Sequence, residues 1–221
     1  MIRVFLNGAN GKMGQAIEKI IKANPDYNMQ ITARADADLH EDGDFDLVID
    51  FSLPAGAAQA FELAKKHKAA FLTGTTNMPA DLIAKIKAEK EIPVFYSPNV
   101  SIGVYLFTKL VKDANKLFEV YSKNMHEIHH SQKKDAPSGT AKNIAAQINF
   151  PAEEITYERA GDAPGTHIVK FTSVYKDEEI SLQHKAADRN LFAYSAIIIA
   201  RWLARQKPGF YDMEAFAGSK K

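Results

Sequence analysis

The sequence opens with a short apolar run, IRVFLN (residues 2–7), that passes directly into GANGKMG, where Gly8, Gly11 and Gly14 stand three residues apart. The stretch KMGQAIEKIIKA then repeats apolar side chains at helical spacing until Asn24 and Pro25 stop it. A strand, a tight turn and a helix in that order begin a crossover unit with parallel strands. The pattern continues. MQITARAD and FDLVIDFS read as strands, PAGAAQAFELAKKHK as a helix, AAFLTGT as a strand, MPADLIAKIKAEKE as a helix and IPVFYSP as a strand. Such alternation predicts an α/β fold, a doubly wound Rossmann-like parallel sheet with helices on both faces.

Near residue 100 the rhythm changes. After a helix over GVYLFTKLVKDANKL come EVYSKNMHEIHH, THIVKFTSVYKD and EEISLQHKAA, long alternating strands interrupted by one helix that starts around Ser138. This predicts a second, α+β domain over residues 102–189, built on a mostly antiparallel sheet. The amphipathic LFAYSAIIIARWLARQ and the KPGFYDMEAFAG after it are expected to pack back on the first domain, which then comprises residues 1–101 plus 190–221. No internal repeat is visible.

Composition narrows the function classes. At 221 residues the chain can bury a proper core, and its net charge of +1 supplies no field for recruiting nucleic acid or an anionic membrane, so any anion must be bound locally. There are no cysteines, which excludes disulfides, thiolate metal sites and cysteine nucleophiles, including the covalent thioester route of aldehyde dehydrogenases. A reducing, cytoplasmic setting is expected. The N-terminus lacks the pattern of a signal peptide, and FAYSAIIIARWLA is too short for a membrane span and carries Arg201.

The turn Gly8, Ala9, Asn10, Gly11, Lys12, Met13 has the character of a dinucleotide site, where backbone N–H groups at a helix start meet a pyrophosphate. Its spacing is GxxGxxG rather than the commoner GxGxxG, and such turns also serve plain strand-to-helix packing. Asp36 closes the second strand where an acidic residue takes a ribose hydroxyl, ~20 residues beyond the turn. Arg34, on the same side of that strand, and Lys12 could instead meet a 2′-phosphate, so NADH and NADPH both remain open. Two loops at the carboxyl ends of later strands, TGTTN with Gly74, Thr75 and Thr76 and SPNVS with Ser97, Pro98, Asn99 and Val100, are further candidates for the cofactor edge. Ordinary turns use the same residues.

EIHHSQKKDAPSGTAKN (127–143) concentrates proton-donating and cationic chemistry. His129 and His130 end a strand, Lys133 and Lys134 add fixed charge, and Ser138 is a candidate N-cap for a helix that itself supplies no partner to the N–H groups of Gly139 and Thr140. Together they suit a small anionic substrate that must gain a proton. Strand alternation puts His126 and His130 on one face and His129 on the other, which argues against a metal site among them.

GANGKMG, DFSLPAG, TGTT, SPNVSIGV and above all EIHHSQKKDAPSGTA resemble the dihydrodipicolinate reductase family, and the resemblance continues through ERAGDAPGTHIVKF, LQHKAADR and FAYSAIIIARWL. It implies reduction by NADH or NADPH of a cyclic imine dicarboxylate, with loss of water, in the diaminopimelate route to lysine. It also implies a homotetramer assembled through the second domain's sheet. By that resemblance His129 and Lys133 are the proton-transfer pair, and His130, Lys133, Ser138, Gly139 and Thr140 hold the substrate. The dinucleotide falls to residues 8–13, Asp36, Gly74 to Thr76 and Ser97 to Val100. Three departures stand out: a short segment after Asp36, Ala37 where a basic residue is frequent, and Thr166 where a glutamate is usual. Two other readings keep part of this picture. One is a two-domain NAD(P)-dependent reductase of another small carboxylate; the other is a non-catalytic NAD(P)H sensor, which has no need of His129 and Lys133 beside a carboxylate cradle.

Overall fold

In the computed structural model, residues 1–36, 43–188 and 190–219 are described; Ala37 and most of the short segment after Asp36 lie outside them. In chain order the elements are β1 (Ile2–Asn7), α1 (Lys12–Ala23), β2 (Met29–Ala35), β3 (Leu47–Asp50), α2 (Pro54–Lys66), β4 (Ala70–Thr73), α3 (Ala80–Lys87) and β5 (Pro93–Tyr96). There follow α4 (Ile102–Leu117), β6 (Ser122–His129), α5 (Gly139–Gln147), β7 (Thr156–Arg159), β8 (Thr166–Thr172), β9 (Glu179–Lys185), α6 (Asn190–Leu203), β10 (Gly209–Tyr211) and α7 (Met213–Gly218). The chain divides into two compact units, Met1–Val100 with Asn190–Lys221, and Ser101–Arg189.

The first unit carries a parallel sheet in the order β10-β5-β4-β3-β1-β2. Strands β3 and β4 are buried on both faces, as their unbroken apolar runs require. The chain leaves β1 for β2 on one side and returns to β3 on the other, so the order reverses at β1, and the carboxyl ends there are the edge where sheets of this kind take their ligands. Phe5, Val48, Phe61, Phe71, Ile86 and Val94 belong to its core. Helix α3 stops short of the expected helical run because Glu89 turns back: its Oε1 accepts the N–H groups of Lys90 (2.8 Å) and Glu91 (2.6 Å). The unexpected three-residue β10 pairs with β5, beside Trp202 of α6, whose indole meets Tyr211 and Phe216 edge-on.

The second unit carries the sheet β7-β6-β8-β9, antiparallel except for β6 with β7. Met125, Val169 and Phe171 on one face pack with Phe107 and Val111 of α4 and Ile144 and Ala145 of α5. The other face presents Asn124, His126 and Ile128 of β6 beside Lys170, Ile168 and Thr166 of β8. Alternation on β6 therefore sends Glu127 and His129 to the helix-covered face. Thr166 is buried in register with Ile128 and Lys185.

Candidate active site

In the first unit the glycine turn is tied to the end of β2. The N–H groups of Gly8 (2.9 Å) and Ala9 (3.1 Å) both donate to the Ala35 carbonyl, and that of Asn10 donates to Asp36 Oδ1 at 2.9 Å. Gly8 has φ +77°, and a Cβ there would stand 2.4 Å from the Phe51 carbonyl oxygen, so only glycine lets β1 and β3 end side by side in this way. Gly11 caps α1 without a side-chain bond, and no acidic residue occupies the first turn. The helix start thus leaves the Lys12 and Met13 N–H groups without intrahelical partners and favours an anion. A nicotinamide dinucleotide fits this arrangement: bare N–H groups for its phosphates, and the Asp36 carboxylate at the adjacent strand end. Arg34 turns aside, its Nη2 3.4 Å from Glu18 Oε2 on α1.

The neighbouring loops hang on one residue that sequence reasoning did not single out. The Asp50 carboxylate, fully buried at the end of β3, accepts from Asn7 Nδ2 (2.8 Å) and Ser52 Oγ (2.5 Å) on Oδ1, and from Thr73 Oγ1 (2.6 Å) and Thr75 Oγ1 (2.8 Å) on Oδ2. It thereby fixes the ends of β1, β3 and β4 relative to one another, with Gly74 against the Phe51 ring, where a Cβ would be 2.2 Å from Cε1. Ser97 turns its own loop by donating to the Asn99 carbonyl at 2.8 Å.

In the second unit Glu127, His129 and His167 are buried together on β6 and β8. Glu127 Oε1 accepts from the Ser138 N–H (2.9 Å) and Arg159 Nη2 (3.0 Å), while Oε2 lies 3.4 Å from His129 Nδ1 and 3.8 Å from His167 Nε2. His167 stands edge-on to His129, with ring centroids 5.3 Å apart, and His184 of β9 lies behind it at 6.1 Å. One donor atom from each of Glu127, His129 and His167 falls within 4.8 Å of the others. The Arg159 guanidinium already seated on that carboxylate supplies the positive charge the group needs.

After His129 the chain turns. The Lys133 N–H donates to the His130 carbonyl (3.1 Å), and Lys133 Nζ pairs with Asp135 Oδ1 at 2.7 Å. Arg159 Nη2 reaches the Asp135 carbonyl at 2.7 Å, which holds this loop to β7. Ser138 is the N-cap of α5, its Oγ accepting the Ala141 N–H at 3.1 Å, and Gly139 and Thr140 form the first turn of the helix, where the backbone N–H groups point toward an anion.

Comparison with known proteins decides the family. The family model described as dihydrodipicolinate reductase, C-terminus, matches residues 103–216, and that described as dihydrodipicolinate reductase, N-terminus, matches residues 27–100. The chain belongs to the dihydrodipicolinate reductase family. The 4-hydroxy-tetrahydrodipicolinate reductase of Caldanaerobacter subterraneus subsp. tengcongensis is 35% identical over 248 aligned residues, covering 97% of both chains. That of Rickettsia bellii is 35% identical, covering 98% of this chain and 94% of its own. A dihydrodipicolinate reductase from Paenisporosarcina sp. TG-14, solved with dipicolinate bound, shares the fold with a TM-score of 0.77 at 20% identity, covering 96% of this chain and 97% of that one. As a dihydrodipicolinate reductase family member the chain is an oxidoreductase that works with a nicotinamide cofactor. Among its described residues no helix is long and apolar enough to cross a membrane.

This member of the dihydrodipicolinate reductase family brings His129, Lys133, Ser138, Gly139 and Thr140 into one stretch of the second unit, and the glycine turn, Asp36, Gly74 to Thr76 and Ser97 to Val100 to strand ends of the first. Sequence reasoning passed over Glu127, Arg159, His167 and His184. The signal for Glu127 was present, since residues 127 and 129 of one strand share a face.

Burial sets the charge of the cluster. It pushes His129 below the usual imidazole range, with Lys133 and Arg159 adding to the effect and Glu127 opposing it. Burial would raise Glu127, but the Ser138 hydroxyl and N–H and the Arg159 guanidinium outweigh it and hold the carboxyl low. His167 falls from 6.5 to about 4 through burial and its histidine neighbours, and burial lowers His184 as well. Between those two pH values an unfolded His167 binds a proton that the folded one refuses, so stability is full above pH 6.5 and drains away as the pH falls toward 4. His167 alone is expected to remove on the order of 3 kcal/mol over that window. Urea melts at half-unit pH steps should show the slope, and His167→Gln should flatten it; an unchanged slope in the variant would assign the acid loss to other groups.

Proposed function

We propose that this chain catalyses the NAD(P)H-dependent reduction, with loss of water, of 4-hydroxy-tetrahydrodipicolinate to tetrahydrodipicolinate, a step of the diaminopimelate route to lysine. The observation that carries this reading is the run from β6 to α5, where a buried imidazole, a lysine and a helix start capped by Ser138 follow one another within twelve residues. That is the set a cyclic imine dicarboxylate needs: a proton donor for the electron-rich ring and fixed positive partners for two carboxylates.

The dinucleotide, held by residues 8–13, Asp36, Gly74 to Thr76 and Ser97 to Val100, supplies the hydride when bound. The chain's own residues do the rest. The N–H groups of Gly139 and Thr140, with the His130 imidazole and the Lys133 ammonium, take the substrate carboxylates and fix the ring. His129 gives a proton from its imidazole as electrons reach the ring, with Lys133 as its partner in proton transfer. Burial and the Lys133 and Arg159 charges disfavour the imidazolium in the free protein. A dianionic substrate offsets those charges on arrival, so the donor gains its proton when there is something to protonate.

Asp36 suits a ribose with free hydroxyls, and Lys12 at the helix start suits a 2′-phosphate, so both NADH and NADPH serve; Arg34 contributes only if it leaves Glu18. A homotetramer built through the uncovered face of the second sheet, and a cytoplasmic setting, complete the proposal. Isoleucines 128 and 168 sit in that face among polar residues, a composition suited to contact with a second copy.

The test is the fall in absorbance near the nicotinamide band, with the substrate made in place from pyruvate and aspartate semialdehyde by a coupling synthase. Rapid oxidation of either dinucleotide is expected, and the NADH to NADPH ratio ranks Asp36 against Lys12. No oxidation, with tight dinucleotide binding retained, would turn the reading to a reductase of a different carboxylate or to a sensor.

A further inference from the structure

We propose that Glu127 is a positioning residue for this reaction, its buried carboxylate orienting the proton donor His129 with one oxygen and the start of the substrate-holding helix α5 with the other. The inference rests on the reading of His129 as the proton donor, and deepens it.

Among the buried atoms here that lack hydrogen-bond partners, which include both ring nitrogens of His167, Nδ1 of His184 and Nε of Arg159, Glu127 Oε2 and His129 Nδ1 form the closest facing pair. They face each other at 3.4 Å, and an unpaired buried carboxylate oxygen beside an unpaired buried imidazole nitrogen is costly on both sides. A shift of a few tenths of an ångström makes the bond, the kind of tightening that catalytic contacts undergo when substrate binds. With Nδ1–H given to the carboxylate, the neutral imidazole keeps its lone pair on Nε2, and the imidazolium offers its second proton from Nε2.

The other edge of the ring supports this orientation. Gly165, at φ +153°, lies over Nε2, and a Cβ there would stand 3.0 Å from it. A glycine keeps the working nitrogen uncovered. The second carboxylate oxygen, Oε1, takes the Ser138 N–H at 2.9 Å, and Ser138 caps α5. One side chain therefore sets the spacing between the proton donor and the helix start that grips the substrate. Arg159, bound to the same Oε1 and to the Asp135 carbonyl, keeps the carboxylate ionised and ties in the loop that carries Lys133.

The charged and titratable groups around His129 are Glu127 on its own strand, His167 of β8 with His184 of β9 behind it, Arg159 of β7, and Lys133 and Asp135 of the loop. Of these Glu127 is the close negative one, so its removal leaves the imidazolium facing cations. Glu127→Gln is expected to lower kcat at least about tenfold and to move the basic limb of the kcat/KM profile to lower pH by about one unit. In Glu127→Gln/His129→Gln the loss should match that of His129→Gln alone, since a residue that acts through His129 has nothing left to orient. Nitrogen-15 spectra of the unmodified chain are expected to show neutral His129 protonated on Nδ1, a readout that needs no variant to fold. A Glu127→Gln enzyme with the parent's kcat and pH profile, additive losses in the double variant, or a His129 protonated on Nε2 would each overturn the proposal. Full activity in His129→Gln would instead defeat the donor assignment beneath it.

Discussion

His129→Gln and Lys133→Ala should each lower turnover by about 10²–10⁴-fold while dinucleotide affinity stays within about threefold of the parent. The glutamine fills nearly the same volume and can still donate to Glu127, so the buried array keeps its packing and loses only the proton that the imidazole can release. For this change kcat and kcat/KM should fall together, the mark of an interaction made in the transition state alone. Lys133→Ala differs. Its ammonium, fixed by Asp135 at 2.7 Å, is on the proposed reading a carboxylate partner as well as a proton source, so KM should rise as kcat falls. Steady-state rates with either dinucleotide, paired with fluorescence titration of the cofactor, separate these effects. If both variants kept full turnover, protons would have to come from another group or from water.

Gly14→Ala is expected to carry the second large effect, on cofactor binding and stability together. A Cβ at this position would stand 2.2 Å from the Gly8 carbonyl oxygen and 2.6 Å from Ala9 Cα, and both are backbone atoms that cannot rotate away. Helix α1 must withdraw from the turn, and its uncapped start, the group we assign to the pyrophosphate, withdraws with it. We expect a loss of about 1–3 kcal/mol of stability and at least a tenfold weaker grip on NADH. Gly218→Ala, where the added carbon meets nothing within 4 Å, should change neither by more than about 0.5 kcal/mol. Thermal melts and dinucleotide titrations of the two variants side by side make the comparison; equal behaviour would mean that the turn yields more readily than its contacts indicate.

What could be read from the sequence was local. Gly8 and Gly14 announce a turn because the chain at those points tolerates no side chain, and Ser138 announces a helix start because a hydroxyl there caps the backbone. Strands β3 and β4 betray themselves by unbroken apolar runs. The remainder depends on which distant segments lie side by side. His167 meets Glu127 because β6 and β8 pair with residue 127 opposite 167, and His184 joins because β9 sets it opposite 167 in turn. No spacing along the chain encodes that register. Asp50 looked like one strand-end acid among many until Asn7, Ser52, Thr73 and Thr75 converged on it. Arg34 pointed toward a phosphate by alternation alone, and Glu18 on the neighbouring helix claims it in the fold. Strands β7 and β10 escaped because TYER and GFY are too short to show a period.

The bond from the Asn10 N–H to Asp36 has a bearing on how such a reductase could drift between cofactors. The carboxylate that would discriminate the ribose is also a strut for the loop that would bind the pyrophosphate. A substitution that welcomed the extra phosphate would at the same moment slacken the turn. Lineages changing preference would therefore have to acquire a new brace for Asn10 before, or together with, the loss of the acid, which makes preference at this position slow to reverse once it has been exchanged.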